Sequence, residues 1–94
     1  MNIAIFGKNL IAENKPYMRQ LFKALEGNDI LIHESFVEWV ADDLPAGLSY
    51  GTFAGHHDLS ADILFSIGGD GTILDAVPLL GDSGIPILGI NMGR

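Results

Sequence analysis

Ninety-four residues suffice for one small domain with one hydrophobic core, and a composition 48% apolar and 18% charged sets the chain apart from disordered and fibrous sequences. Five Lys/Arg against twelve Asp/Glu give a net charge of −7 with no basic cluster, which argues against nucleic acid as a partner. Without cysteine there is neither a disulfide framework nor thiolate chemistry, and no apolar run approaches the ~20 residues that span a bilayer, so the expectation is a cytoplasmic protein with no membrane partner.

Residues 2–6, Asn-Ile-Ala-Ile-Phe, are apolar almost throughout, the pattern of a strand buried on both faces, and Gly7 is read as its end. A helix is expected from Asn14, with Pro16 in its first turn, Met18, Leu21, Phe22 and Leu25 on one face, and Gly27 as its stop. Residues 29–32 read as a second strand. Ser35-Phe-Val-Glu38 then has the form of a capping box opening a brief helix that carries Phe36, Trp39 and Val40. Residues 42–58 contain Pro45 and three glycines with no sustained period, and are expected to be a long connection with at most a turn of helix. A third strand over 61–67 leads into Gly68-Gly-Asp-Gly-Thr72. A helix over 72–80, interrupted late by Pro78, and a fourth strand over 85–90 complete the pattern. Alternating apolar strands and amphipathic helices predict an α/β fold with a doubly wound, mostly parallel sheet and right-handed crossovers.

The chemistry concentrates in the glycine turn after the third strand. It lacks the Gly-Lys-Ser/Thr element of a Walker A loop and does not give the G-x-G-x-x-G dinucleotide fingerprint. Gly68 and Gly69 allow close backbone approach, Gly71 falls at the helix start, and the Thr72 hydroxyl is placed to cap the helix or meet a phosphate oxygen. A carboxylate among phosphate-binding amides repels the ligand unless it binds metal, accepts from a sugar or takes a proton, which makes Asp70 the candidate base of a phosphoryl transfer. The plainer reading, a tight turn in which Asp70 caps the helix, accounts for an isolated Gly-Asp-Gly but less well for the whole strand, glycine turn and helix unit.

Gly68-Gly-Asp-Gly-Thr72 with Ile73-Leu74, and the later run Gly84-Ile-Pro-Ile-Leu-Gly-Ile-Asn-Met-Gly-Arg94, resemble the N-terminal domain of the NAD kinase family. That resemblance implies a Rossmann-like, phosphofructokinase-like domain over 1–94, followed in the intact enzyme by a C-terminal β-rich domain lying beyond this chain. It implies ATP-dependent phosphorylation of the adenosine-ribose 2′-hydroxyl of NAD, with Mg²⁺ or another divalent cation accompanying ATP. By the same resemblance Asp70 is the proton acceptor and an NAD contact, Gly71 lies beside it in the NAD site, and Gly68, Gly69 and Thr72 shape the nucleotide loop. Asn91 and Gly93 match a family segment close to the dinucleotide. The intact enzyme is expected to be a homo-oligomer, and the 94 residues alone to be inactive. The rival expectations are a kinase built on the same turn but acting on a sugar phosphate or lipid, and a non-catalytic nucleotide-binding module.

Lys8 follows the first strand and is read either as a phosphate contact at the same sheet edge or as part of a plain turn. His56 and His57 beside Asp58 are expected to be solvent-exposed, without a third metal ligand. Phe36, Trp39, Tyr50 and Phe53 are expected in the core or as loop anchors, and Glu34, Glu38, Asp42 and Asp43 on a solvated acidic face.

Overall fold

A computed structural model describes residues 1–8, 10–55, 57, 59–69 and 71–92. Its elements run β1 (Asn2–Lys8), a 3-10 turn (Ala12–Asn14), α1 (Lys15–Ala24), β2 (Asp29–His33), α2 (Glu34–Val40), a second 3-10 turn (Ala41–Asp43), β3 (Tyr50–Phe53), β4 (Ile63–Gly68), α3 (Thr72–Leu80) and β5 (Ile87–Asn91). The five strands form one sheet in the order β3-β2-β1-β4-β5, and every neighbouring pair is parallel.

Because side chains alternate across a strand, β1 feeds two cores. Ile3 and Ile5 join Ile30 and Ile32 of β2 beneath Met18 and Phe22 of α1 and Phe36 and Val40 of α2. Ala4 and Phe6 turn to the other face, where Leu64 of β4 packs with Ala76 and Leu80 of α3. Helices on both faces explain why β1 is continuously apolar.

The segment expected to be a connection, 42–58, contributes β3, in which Tyr50, Gly51 and Thr52 are exposed and only Phe53 is buried. An edge strand with one buried side chain presents almost no alternation to a sequence reading, and Gly51 weakens it further. The cap of α2 also differs from the expected box. His33, not Ser35, is the N-cap, its Nδ1 accepting the Ser35 backbone N–H at 3.2 Å. Nε2 of His33 lies 3.0 Å from the Ala54 carbonyl oxygen, so a neutral ring protonated at Nε2 satisfies both contacts. The ring stands edge-on between Phe6 and Phe53, tying β3 to the rest of the sheet.

Asp43 is a further correction, for it is buried rather than part of a solvated face. Its Oδ2 accepts from Lys15 Nζ at 2.8 Å and its Oδ1 from Arg19 Nε at 2.9 Å. Lys15 also donates to the Trp39 carbonyl at 2.7 Å and lies 4.2 Å from the centroid of the Trp39 ring, which stacks on Phe36. Burial pushes the Asp43 carboxyl up, but the hydrogen bonds and charges of Lys15 and Arg19 outweigh it and hold the group below its ordinary value. The cluster pins α1 to the chain leaving α2. Tyr50 is exposed, unlike the anchoring role expected of it, whereas Phe36 and Phe53 are buried as expected.

Candidate functional site

The chain builds its sheet outward from β1 through β2 to β3, then crosses back to place β4 on the other side of β1. Strand order reverses between β1 and β4, and a ligand in an open α/β sheet binds outside the carboxyl ends of the strands at such a point. β1 runs to Lys8 rather than stopping at Gly7, and its last two residues pair with Ile67 and Gly68. On the far side Gly68 pairs with Asn91 of β5. Lys8, Gly68 and Asn91 therefore stand abreast at the carboxyl edge.

Gly68 has a φ of +151°, a backbone conformation that disfavours any residue with a side chain. A Cβ there would also collide with the Lys8 carbonyl oxygen and crowd Thr72. The turn is held on both sides, since the Gly68 carbonyl accepts from Met92 N at 3.3 Å and the Gly69 carbonyl from Thr72 N at 3.2 Å. Gly71 is the N-cap of α3, with helical φ and ψ and no side chain to cap with, and its carbonyl accepts from Asp75 N at 3.3 Å.

Thr72 does not take the capping role that sequence allows it. Its Oγ1 and the Oγ of Ser66 are buried, and neither has a hydrogen-bond partner among the described residues. An unmet buried hydroxyl costs about 1–3 kcal/mol, so two of them under one turn call for an explanation beyond packing. Ser66, Gly68, Gly69, Ile73, Gly89 and Asn91 contribute to the lining of a cavity of about 170 Å³ at this place. Gly89 keeps the cavity narrow, since a Cβ on it would collide with Cδ1 of Ile73 on α3. Ser66 escaped the sequence reading, although a hydroxyl in the middle of an apolar strand was the signal available.

Charge is sparse at this edge. Lys15 and Arg19 are committed to Asp43, and Lys23 lies in the last turn of α1, a helix that must run opposite to the parallel strands it connects. Among the described residues Lys8 is thus the cation at the crevice. Its Nζ meets Asp75 Oδ2 of α3 at 3.0 Å, with the two side chains 51% and 44% exposed. Such an exposed pair is worth about 0–1 kcal/mol. Lys8 is also among the residues lining a cavity of about 460 Å³, with Phe6, Gly7, Leu10, Ser35, Phe36 and Trp39.

The structure thus brings Gly68, Gly69, Gly71, Thr72 and Asn91 together at the switch point. Asp70 and Gly93 lie outside the described residues, as do His56 and Asp58, while His57 is exposed as expected. Among the described residues no group of three or more His, Cys, Asp or Glu converges in a way that could hold a metal ion, and no helix is long and apolar enough to cross a membrane.

Residues 3–94 match the family described as the ATP-NAD kinase N-terminal domain. The whole chain is 42% identical to a protein of Flavobacterium psychrophilum named NAD kinase, covering 33% of that protein, and 40% identical to one of the same name from Bacteroides fragilis, again covering 33%. A NAD kinase of Methanothermobacter thermautotrophicus is 48% identical over 57% of the chain and 18% of its own length. The chain therefore spans about a third of the length of the full-coverage relatives.

Proposed function

Because the chain belongs to the ATP-NAD kinase N-terminal domain family, we propose that residues 1–94 form the N-terminal nucleotide-binding domain of an enzyme that phosphorylates NAD. In this reading the adenosine-ribose 2′-hydroxyl oxygen attacks the γ-phosphorus of ATP, the bond from that phosphorus to the ADP oxygen breaks, and the hydroxyl proton passes to Asp70, giving NADP and ADP. Most of the catalysis in such a transfer is positioning and charge stabilisation. Gly68 and Gly69 provide a surface without side chains, Gly71 places a backbone against NAD, and the unmet hydroxyl of Thr72 finds its partner in the bound nucleotide or in water ordered by it.

The observation that carries this reading is the glycine turn at the switch point, where Gly68 is forced against the Lys8 carbonyl above two unsatisfied buried hydroxyls. Relatives named NAD kinase favour NAD as acceptor over a sugar phosphate or lipid. Mg²⁺ or another divalent cation would enter with ATP. Catalysis belongs to a homo-oligomeric, cytoplasmic intact protein, and the 94 residues alone do not turn over. The intact protein, given ATP and Mg²⁺ with NAD, a sugar phosphate or a diacylglycerol, should phosphorylate NAD alone. Transfer to either of the others with NAD untouched would refute the assignment.

A further inference from the structure

We infer that Lys8 binds a phosphate group of a nucleotide at the β1/β4 crevice, and that Asp75 holds its ammonium in place until that phosphate arrives. The inference rests on the nucleotide-binding reading of the glycine turn. β1 extends one full pairing beyond the expected stop, which sets the Lys8 backbone against Gly68. By strand alternation the side chain leaves on the α3 face, the same face as Ala4 and Phe6, and reaches Asp75 in the first turn of that helix. The ammonium is thereby held over the helix start that follows the glycine turn.

Three observations separate this pair from an ordinary surface ion pair. Of the described cations near the carboxyl edge, Lys15 and Arg19 are locked on a buried carboxylate, and Lys8 alone has an exposed partner that water or an anion can replace. These 94 residues carry a net charge of −7 and so oppose a polyanionic nucleotide, which makes a local cation at the crevice matter more than in a basic domain. Lys8 is also among the residues lining the larger cavity at the end of β1, beside Phe36 and Trp39 of α2. A phosphate outcompetes Asp75 because it offers more charge and more acceptor oxygens at the same distance. ATP and the NAD pyrophosphate are the two sources of such a phosphate.

The test measures equilibrium binding of ATP with Mg²⁺, and separately of NAD, to the intact protein and its Lys8→Met, Lys8→Arg, Asp75→Asn and doubly substituted Lys8→Met/Asp75→Asn forms. Lys8→Met should weaken one of the two ligands at least tenfold and reduce the salt dependence of its binding. The ligand affected identifies the source of the phosphate. Lys8→Arg should stay within threefold of wild type. Asp75→Asn should bind the same ligand at least as tightly as wild type, and its advantage should vanish in the Lys8→Met background. If the pair were merely a structural strut, both single substitutions would weaken binding together, and that result overturns the inference. So does Lys8→Met binding both ligands within threefold of wild type, or an Asp75→Asn gain that survives without Lys8. Wild-type protein that binds the nucleotides but makes no NADP defeats the kinase reading and leaves Lys8 to be judged by the binding data, whereas wild type that binds neither defeats both.

Discussion

Lys8 and Gly68 face one another across the parallel ladder of β1 and β4, so closely that a side chain on Gly68 would strike the Lys8 carbonyl oxygen. This contact joins the two strands at the point where the sheet reverses its order. It fixes Gly68, the first residue of the glycine turn, to the carboxyl edge of the sheet.

Gly68→Ala should therefore fail twice. A positive φ and a collision with backbone together cost about 1–3 kcal/mol, visible as a lower denaturant midpoint with unchanged m-value. In the intact protein nucleotide binding should fall further than stability alone explains. An alanine variant as stable as wild type would show that the turn is not constrained as described.

Thr72→Val separates function from folding. Its hydroxyl is buried without a partner among the described residues, so replacing it with a methyl should raise stability by about 1–3 kcal/mol. If the hydroxyl serves the bound nucleotide, the same variant of the intact protein should bind ATP or NAD several-fold more weakly. Loss of stability by thermal unfolding would mean that the hydroxyl serves packing instead.

Asp43 gives a pH-dependent prediction. Its carboxyl titrates lower when folded than when unfolded, so the unfolded state takes up the proton first as pH falls. The cluster's contribution is complete above the ordinary carboxylate value of about 3.9 and is lost as pH falls through the lower folded value. Asp43→Asn should cost about 2 kcal/mol at neutral pH and flatten the acid limb of the stability profile. Equal acid sensitivity in variant and wild type would place that limb on other carboxylates.

The fold was legible wherever burial imposed a period. β1, β2, β4 and the three helices have apolar positions at spacings that only one conformation can bury. β3 was not legible, because an edge strand with only Phe53 inside has no pattern to show. The cap of α2 was misplaced by one competing signal: Ser35 and Glu38 mimic a capping box, while His33 provides the acceptor from an unusual residue type. Asp43 was misread because a carboxylate beside another acid looks solvated until Lys15 and Arg19, more than twenty residues away, are folded onto it. Of the site, the glycine turn was legible through its residue types. Ser66 and the Lys8–Asp75 pair were not, since both depend on β4 and α3 being brought against β1.

The central claim is that the turn from Gly68 to Thr72 carries the base of a phosphoryl transfer to NAD. The most direct measurement is the rate of NADP formation by the intact protein with saturating NAD, ATP and Mg²⁺, comparing wild type with Asp70→Asn. Loss of a positioned general base predicts a fall in kcat of about 10²–10⁴-fold with stability retained. NADP formation by Asp70→Asn at the wild-type rate would contradict the account.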